Sequence, residues 1–123
     1  MKAYYSHCMA IYGTLQEQRD IHLLTRLGFE VVNPNAPEVA EEVRRRKAAG
    51  DENYMEYFRE LMRGCEALAF RALPDARIPA GVFKEIQFAH DAAMLVFELP
   101  SGVLSREMSV PATREYLREI GQR

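Results

Sequence analysis

Glu85 is the residue of this chain best placed for covalent chemistry. It stands four positions after Gly81 in the run Ile78-Pro79-Ala80-Gly81-Val82-Phe83-Lys84-Glu85-Ile86-Gln87-Phe88-Ala89, behind a turn-rich loop and in the opening turns of an expected helix. Open α/β sheets take their ligands at the mouth of such a strand–loop–helix unit. The positive end of the helix dipole would favour the ionised carboxylate, which can attack an electrophilic carbon when it faces a cleft. Gly81 lies one helical turn earlier on the same face. Its missing side chain would let a ligand come close to the backbone.

A second candidate is the loop Ser6-His7-Cys8-Met9-Ala10-Ile11-Tyr12-Gly13-Thr14, which leaves a short strand and runs into a helix N-terminus. Such a position suits an anion. The hydroxyls of Ser6 and Thr14 could meet a sugar or a phosphate, and Tyr12 or Met9 could cover a base. The loop carries neither the dinucleotide fingerprint GxGxxG nor the phosphate loop GxxxxGK[ST]. Asp75 and Glu98 are possible second carboxylates. Both fall where strands are expected to end, on the edge that would hold Glu85. His22 and His90 fall on expected helices with no ligand-type neighbour, so a metal is not expected, and chemistry by a glutamate nucleophile needs no organic cofactor.

These side chains need a scaffold, and strand and helix signals alternate along the chain, which reads as α/β. Residues 3–5 form a first strand. Thr14 with Glu17 resembles a capping box, and a helix follows with Ile21, Leu23, Leu24 and Leu27 toward the core, stopped by Gly28. Residues 29–32 form a second strand closed by Asn33-Pro34, where the residue before proline resists the helical region. Residues 37–49 are helical and highly charged, with only Val39 and Val43 expected to be buried. A stronger helix carries Tyr54, Phe58, Leu61, Met62 and Cys65 at helical spacing and is read as core. Residues 67–70 make the third strand and residues 94–97 the fourth. A last helix begins near Pro111 and buries Leu117 and Ile120. Parallel strands with right-handed crossovers would gather residues 6–13, 33–37, 71–80 and 98–102 on one edge of the sheet.

Composition bounds the partners. At 123 residues, 48% of them hydrophobic, the chain is long enough for one domain with a real core. A net charge of −2 gives no field that would draw nucleic acid or membrane. The basic run Arg44-Arg45-Arg46-Lys47 is offset by Glu38, Glu41 and Glu42, and reads as a solvated helix face. Two distant cysteines, Cys8 and Cys65, suit a reducing cytoplasm. No secretory leader is expected after Lys2, since no apolar run follows it.

The chain resembles the nucleoside 2-deoxyribosyltransferase-like superfamily from Ala3 to Pro100. The resemblance rests on the strand leading into Ser6-His7-Cys8-Met9, the Val32-Asn33-Pro34 strand end, the entry Cys65-Glu66-Ala67-Leu68-Ala69-Phe70, and the segment from Gly81 to Ala89. It implies a single-domain flavodoxin/Rossmann-like three-layer sandwich, with a parallel sheet of four or five strands. It also implies a glutamate, here Glu85, that attacks the anomeric carbon of a nucleoside, and a homo-oligomer, dimer or larger. Pro79-Ala80 stand where the enzymes usually carry an aspartate, and Phe83 stands where a second glycine is common, so Phe83 would narrow the pocket.

The expected activity is therefore cleavage or transfer of the N-glycosidic bond of a nucleoside or nucleoside monophosphate by a retaining mechanism. Glu85 is the nucleophile, Asp75 or Glu98 the acid that assists base departure, and Ser6, His7, Tyr12, Asn33 and Gly81 are ligand contacts. A retaining pair of carboxyl groups stands about 5–5.5 Å apart. Two other readings use the same residues: a nucleotide-binding or sensing module without turnover, and an interaction protein that oligomerises through the helix of Tyr54 to Met62.

Overall fold

The computed structural model describes residues 1–100, 110–119 and 121. Four parallel strands, β1 (Lys2–Ser6), β2 (Glu30–Val32), β3 (Ala67–Phe70) and β4 (Leu95–Glu98), form one sheet in the order β2-β1-β3-β4. Helices α1 (Leu15–Arg26), α2 (Pro37–Ala48), α3 (Glu56–Arg63) and α4 (Ala80–Asp91) lie between them, and α5 (Val110–Glu119) follows β4. The result is an α/β protein of the Rossmann/flavodoxin-like kind.

Strand periodicity builds two cores from adjacent residues, because successive side chains point to opposite faces of a sheet. Tyr4 and Leu68, paired across β1 and β3, pack with Met62 of α3 and with Val82, Ile86 and Ala89 of α4. Tyr5 and Ala69, the next pair along, pack on the other face with Leu24 of α1 and with Leu99. Helix α1 covers one side of the sheet, and α3 with α4 cover the other.

Local signals explain the boundaries. Thr14 caps α1, its hydroxyl accepting from Glu17 N at 3.3 Å. Gly28 adopts φ +93, which a residue with a side chain resists, and turns the chain into β2. Pro37 opens α2, whose exposed face carries the ion pairs of Glu42 with Arg45 and Arg46 and of Arg46 with Glu60. Val39 is buried and Val43 half-buried. Leu117 is half-buried in α5, while Ile120 and residues 101–102 lie outside the described residues.

The strand order places a switch point between β1 and β3. The chain moves from β1 to its neighbour β2 on one side, then returns to β3 on the other. A crevice opens at the carboxyl ends of the strands at such a point. Ser6 ends β1 there, and α4 begins after β3.

Candidate functional site

The crevice is a cleft of about 690 Å³ lined by the loop after β1, by Pro34 and Asn35, by α2 and α3, and by the first turns of α4. That volume is within the range of pockets that enclose small organic ligands. Its walls are rich in rings: Tyr12, Tyr54, Phe58 and Phe88 all face it. Lys47, Arg59 and Lys84 also line it, with the Lys47 ammonium 4.6 Å from the centre of the Tyr54 ring.

Glu85 lies in this cleft, and Ser6 Oγ donates to its Oε1 at 2.8 Å. The two residues are 79 positions apart in sequence, and the β1–β3 pairing brings them together. Glu85 falls in the second turn of α4, where the dipole field has largely faded. Burial then governs its chemistry and raises its pKa above the ordinary 4.5, with hydrogen bonding from Tyr4 and Ser6 and the charge of His7 acting in the opposite direction. From sequence the helix dipole is expected to favour the ionised form; desolvation opposes it by disfavouring the charge, and neighbouring polar groups limit that effect. Tyr4, fully buried, has its own hydroxyl pKa raised, by burial first and then by the Glu85 charge.

His7 sits beside this pair, 5% exposed. Its Nε2 is 2.7 Å from Glu17 Oε2 and its Nδ1 is 3.0 Å from the Tyr5 carbonyl oxygen. The ring stacks on Tyr5 with centroids 3.7 Å apart and planes 6° from parallel, and the Tyr12 ring lies tilted against it with centroids 4.7 Å apart. Burial pushes the Tyr12 hydroxyl up to about 12. Glu17 is more than a helix cap: its carboxylate also accepts from Gly13 N and from Asn35 Nδ2. It therefore ties the first loop to the loop after β2.

Behind the site lies a second buried network. Asp20 of α1 accepts from the Tyr5 hydroxyl at 2.6 Å, from Gln16 and, through both oxygens, from Arg71. Arg71 also donates to the Pro100 carbonyl at 2.6 Å. Among the described residues no buried side-chain nitrogen or oxygen lacks a hydrogen-bond partner, so this is a fixed support under the Tyr5–His7 stack.

The remaining expected residues fall as follows. Gly81 lines the cleft, and a Cβ built on it would meet nothing within 4 Å. Asn33 does not line it. Its Oδ1 accepts from Asn35 N at 2.9 Å, shaping the turn that presents Asn35 instead. Asp75 and Glu98 are both exposed and neither lines the cleft. Asp75 serves its own turn, accepting from Arg77 N at 3.0 Å. The pairing of either acid with Glu85 is thus corrected, because being on the right edge of the sheet does not aim a side chain inward. Phe83 is 51% exposed and points away from the cleft, so it does not narrow it. Tyr54 and Phe58, expected in the core, form a wall of the cleft. Helical spacing marks a buried face without saying whether a helix or a ligand covers it.

Sequence reading missed Tyr4, Glu17, Asp20, Arg71 and Asn35. Only Glu17 carried a local signal, as a capping acid. Among the described residues no three His, Cys, Asp or Glu side chains converge to hold a metal. No described helix is long and apolar enough to cross a membrane. No protein-family model, curated protein or solved structure matches this chain.

Proposed function

We propose that this protein cleaves or transfers the N-glycosidic bond of a nucleoside or nucleoside monophosphate, with Glu85 as the nucleophile. The observation that carries the reading is the contact between Glu85 and Ser6 in a ring-lined cleft at the sheet's switch point. The resemblance of the Gly81–Ala89 segment to the nucleoside 2-deoxyribosyltransferase-like superfamily supplies the reaction class.

In the proposed reaction the base stacks among Tyr12, Tyr54, Phe58 and Phe88, and the sugar lies over Gly81. A Glu85 oxygen bonds to C1′ as the C–N bond breaks, and its electron pair leaves on the base nitrogen. With Asp75 and Glu98 outside the cleft, that nitrogen takes its proton from solvent. Water, or a second base, then attacks C1′ and frees the carboxylate. Lys47, Arg59 and Lys84 are the cations available to a phosphate. The test is the intact mass of acid-quenched protein. A glycosyl adduct on wild type and none on Glu85→Gln supports the covalent step, and no adduct with any cleaved substrate rejects it.

A non-catalytic nucleotide-binding module is the second reading, favoured by the absence of a second carboxylate among the described residues that line the cleft. A ligand at 100 times its dissociation constant would add about 2.7 kcal/mol to stability in either case, so only turnover separates the two. The resemblance also suggests a homo-oligomer, and exposed Met9 and Met55 at the cleft rim are apolar surface that such an assembly would cover. Cys8 and Cys65 are free thiols, which fits the proposed cytoplasmic location.

Gly81 gives a test that separates ligand from fold. Gly81→Ala adds a methyl group to open space in a helix, so folding stability should stay level or rise by up to about 1 kcal/mol. Affinity for a nucleoside should fall if the sugar lies over this backbone. A variant that binds as wild type, checked by calorimetric titration, would remove the sugar from that position.

A further inference from the structure

Asn35 offers the cleft one end of its amide. The turn after β2 fixes its backbone: Asn35 N donates to Asn33 Oδ1 at 2.9 Å, and Ala36 N donates to the Asn33 carbonyl at 3.0 Å. Helix α1 fixes its side chain, whose Nδ2 donates to the two oxygens of buried Glu17 at 3.3 and 3.2 Å. Gly13 N also donates to Glu17 Oε1 at 3.3 Å, so this carboxyl group receives donors from two loops. Turning the amide over would set Oδ1 against the same two oxygens, acceptor against acceptor. Oδ1 is therefore the end turned away from Glu17. Among the described residues it meets no donor, and no buried side-chain oxygen lacks a partner, so Oδ1 is an open atom on a residue that lines the cleft.

Asn35 and Glu85 are the only amide or carboxylate side chains among the described residues of the lining. Glu85 is bonded to Ser6 at the end of β1, whereas Asn35 follows β2, the strand beside it. Neighbouring strands lie about 4.8 Å apart, so the two acceptors rise from points a strand's width apart. With Glu85 at C1′, the sugar hydroxyls crowd around the first acceptor, and the outer edge of the base extends away from it. We propose that Asn35 is the specificity-determining residue for the base: its Oδ1 accepts a hydrogen bond from an exocyclic amino group, and Glu17 is the positioning residue that keeps this end outward. The ligand is then an amino-bearing nucleoside of the adenine or cytosine type. An oxo group in that place would meet an oxygen, and an analogue without the amino group would leave the acceptor unpaired, which is how a polar site discriminates.

The inference rests on the nucleoside reading of the cleft, but its test does not need turnover. Calorimetric titration compares adenosine with purine riboside, and cytidine with pyrimidin-2-one riboside, pairs that differ only in the amino group. Each is supplied as ribonucleoside, 2′-deoxyribonucleoside and 5′-monophosphate, to wild type and, where wild type cleaves it, to Glu85→Gln. The amino-bearing member of at least one pair should bind about tenfold more tightly, the upper range for one neutral hydrogen bond. Asn35→Ala should bind both members of that pair alike. Glu17→Gln, which puts a donor where one acceptor stood, should narrow the ratio without weakening the analogue that lacks the amino group. A merely structural role would weaken all the ligands together and leave the ratio as in wild type. The wild-type ratio needs no variant to fold. Equal affinities within both pairs in wild type, or an unchanged ratio in folded Asn35→Ala, overturns the proposal. Base release without such a preference rejects the role of Asn35 alone. A preference without base release keeps Asn35 as the reader of the base and rejects the glycosidic chemistry. No binding by any of these ligands rejects both.

Discussion

Arg71→Ala is expected to cost about 3–5 kcal/mol of folding stability, the range for removing one partner of a buried ion pair. Arg71 is 6% exposed and Asp20 only 1%. Without Arg71, both Asp20 oxygens lose a charged donor, and the Tyr5 hydroxyl and Gln16 amide cannot neutralise what remains. The Pro100 carbonyl loses its donor too, releasing the chain just past β4. The double variant Asp20→Leu/Arg71→Met should recover most of the loss, because it removes the unpaired charge instead of exposing it. Urea unfolding at neutral pH gives the comparison. A loss below about 1 kcal/mol for Arg71→Ala would mean that water reaches Asp20 and that the network does not support the site as described.

Glu85→Gln should have the largest effect on activity, lowering turnover by roughly 10³-fold or more, since an amide cannot form the ester. The same variant should melt at a higher temperature than wild type at neutral pH. The sign follows from linkage. The folded-state pKa of Glu85 is raised above 4.5, so folding favours the protonated acid. The stability it contributes is full below about pH 4.5 and is lost as the pH rises through the folded value. Glutamine never ionises, so the advantage of the variant should appear above that pH and vanish below it. Turnover by wild type should rise over the same window as the nucleophile ionises. Gain of stability with loss of activity is the pattern of a residue kept for function. Thermal melts of the two proteins at pH 4 and pH 7 would show it, and an equal difference at both would contradict it.

The fold was largely legible because each element carried its own punctuation. Thr14 and Gly28 bounded α1, Pro34 closed β2, and the alternation of Tyr4 and Tyr5 supplied two cores from two neighbouring residues. The strand order was not legible, since pairing of β1 with both β2 and β3 depends on contacts across the whole chain. In the site, Gly81 and Glu85 were readable from one helical turn, and Ser6 from its place at a strand end. Asp20 and Arg71 were not readable. They are 51 positions apart, and nothing local marks either as buried until the sheet brings them together. Asp75 and Glu98 failed in the opposite way: topology put them on the correct edge, but turn chemistry and exposure kept them out of the cleft. Asn33 and Asn35 differ by the same kind of detail, one folding the turn and the other lining the cleft.

The central claim is that Glu85 breaks a glycosidic bond. Chromatography of free bases after incubation with mixed nucleosides and nucleoside monophosphates tests it most directly, with wild type and Glu85→Gln side by side. Release of a base by wild type and not by the folded variant is the result expected here. Release at equal rates by both would take the chemistry away from Glu85. No release by folded wild type from any of them would leave the cleft a binding site.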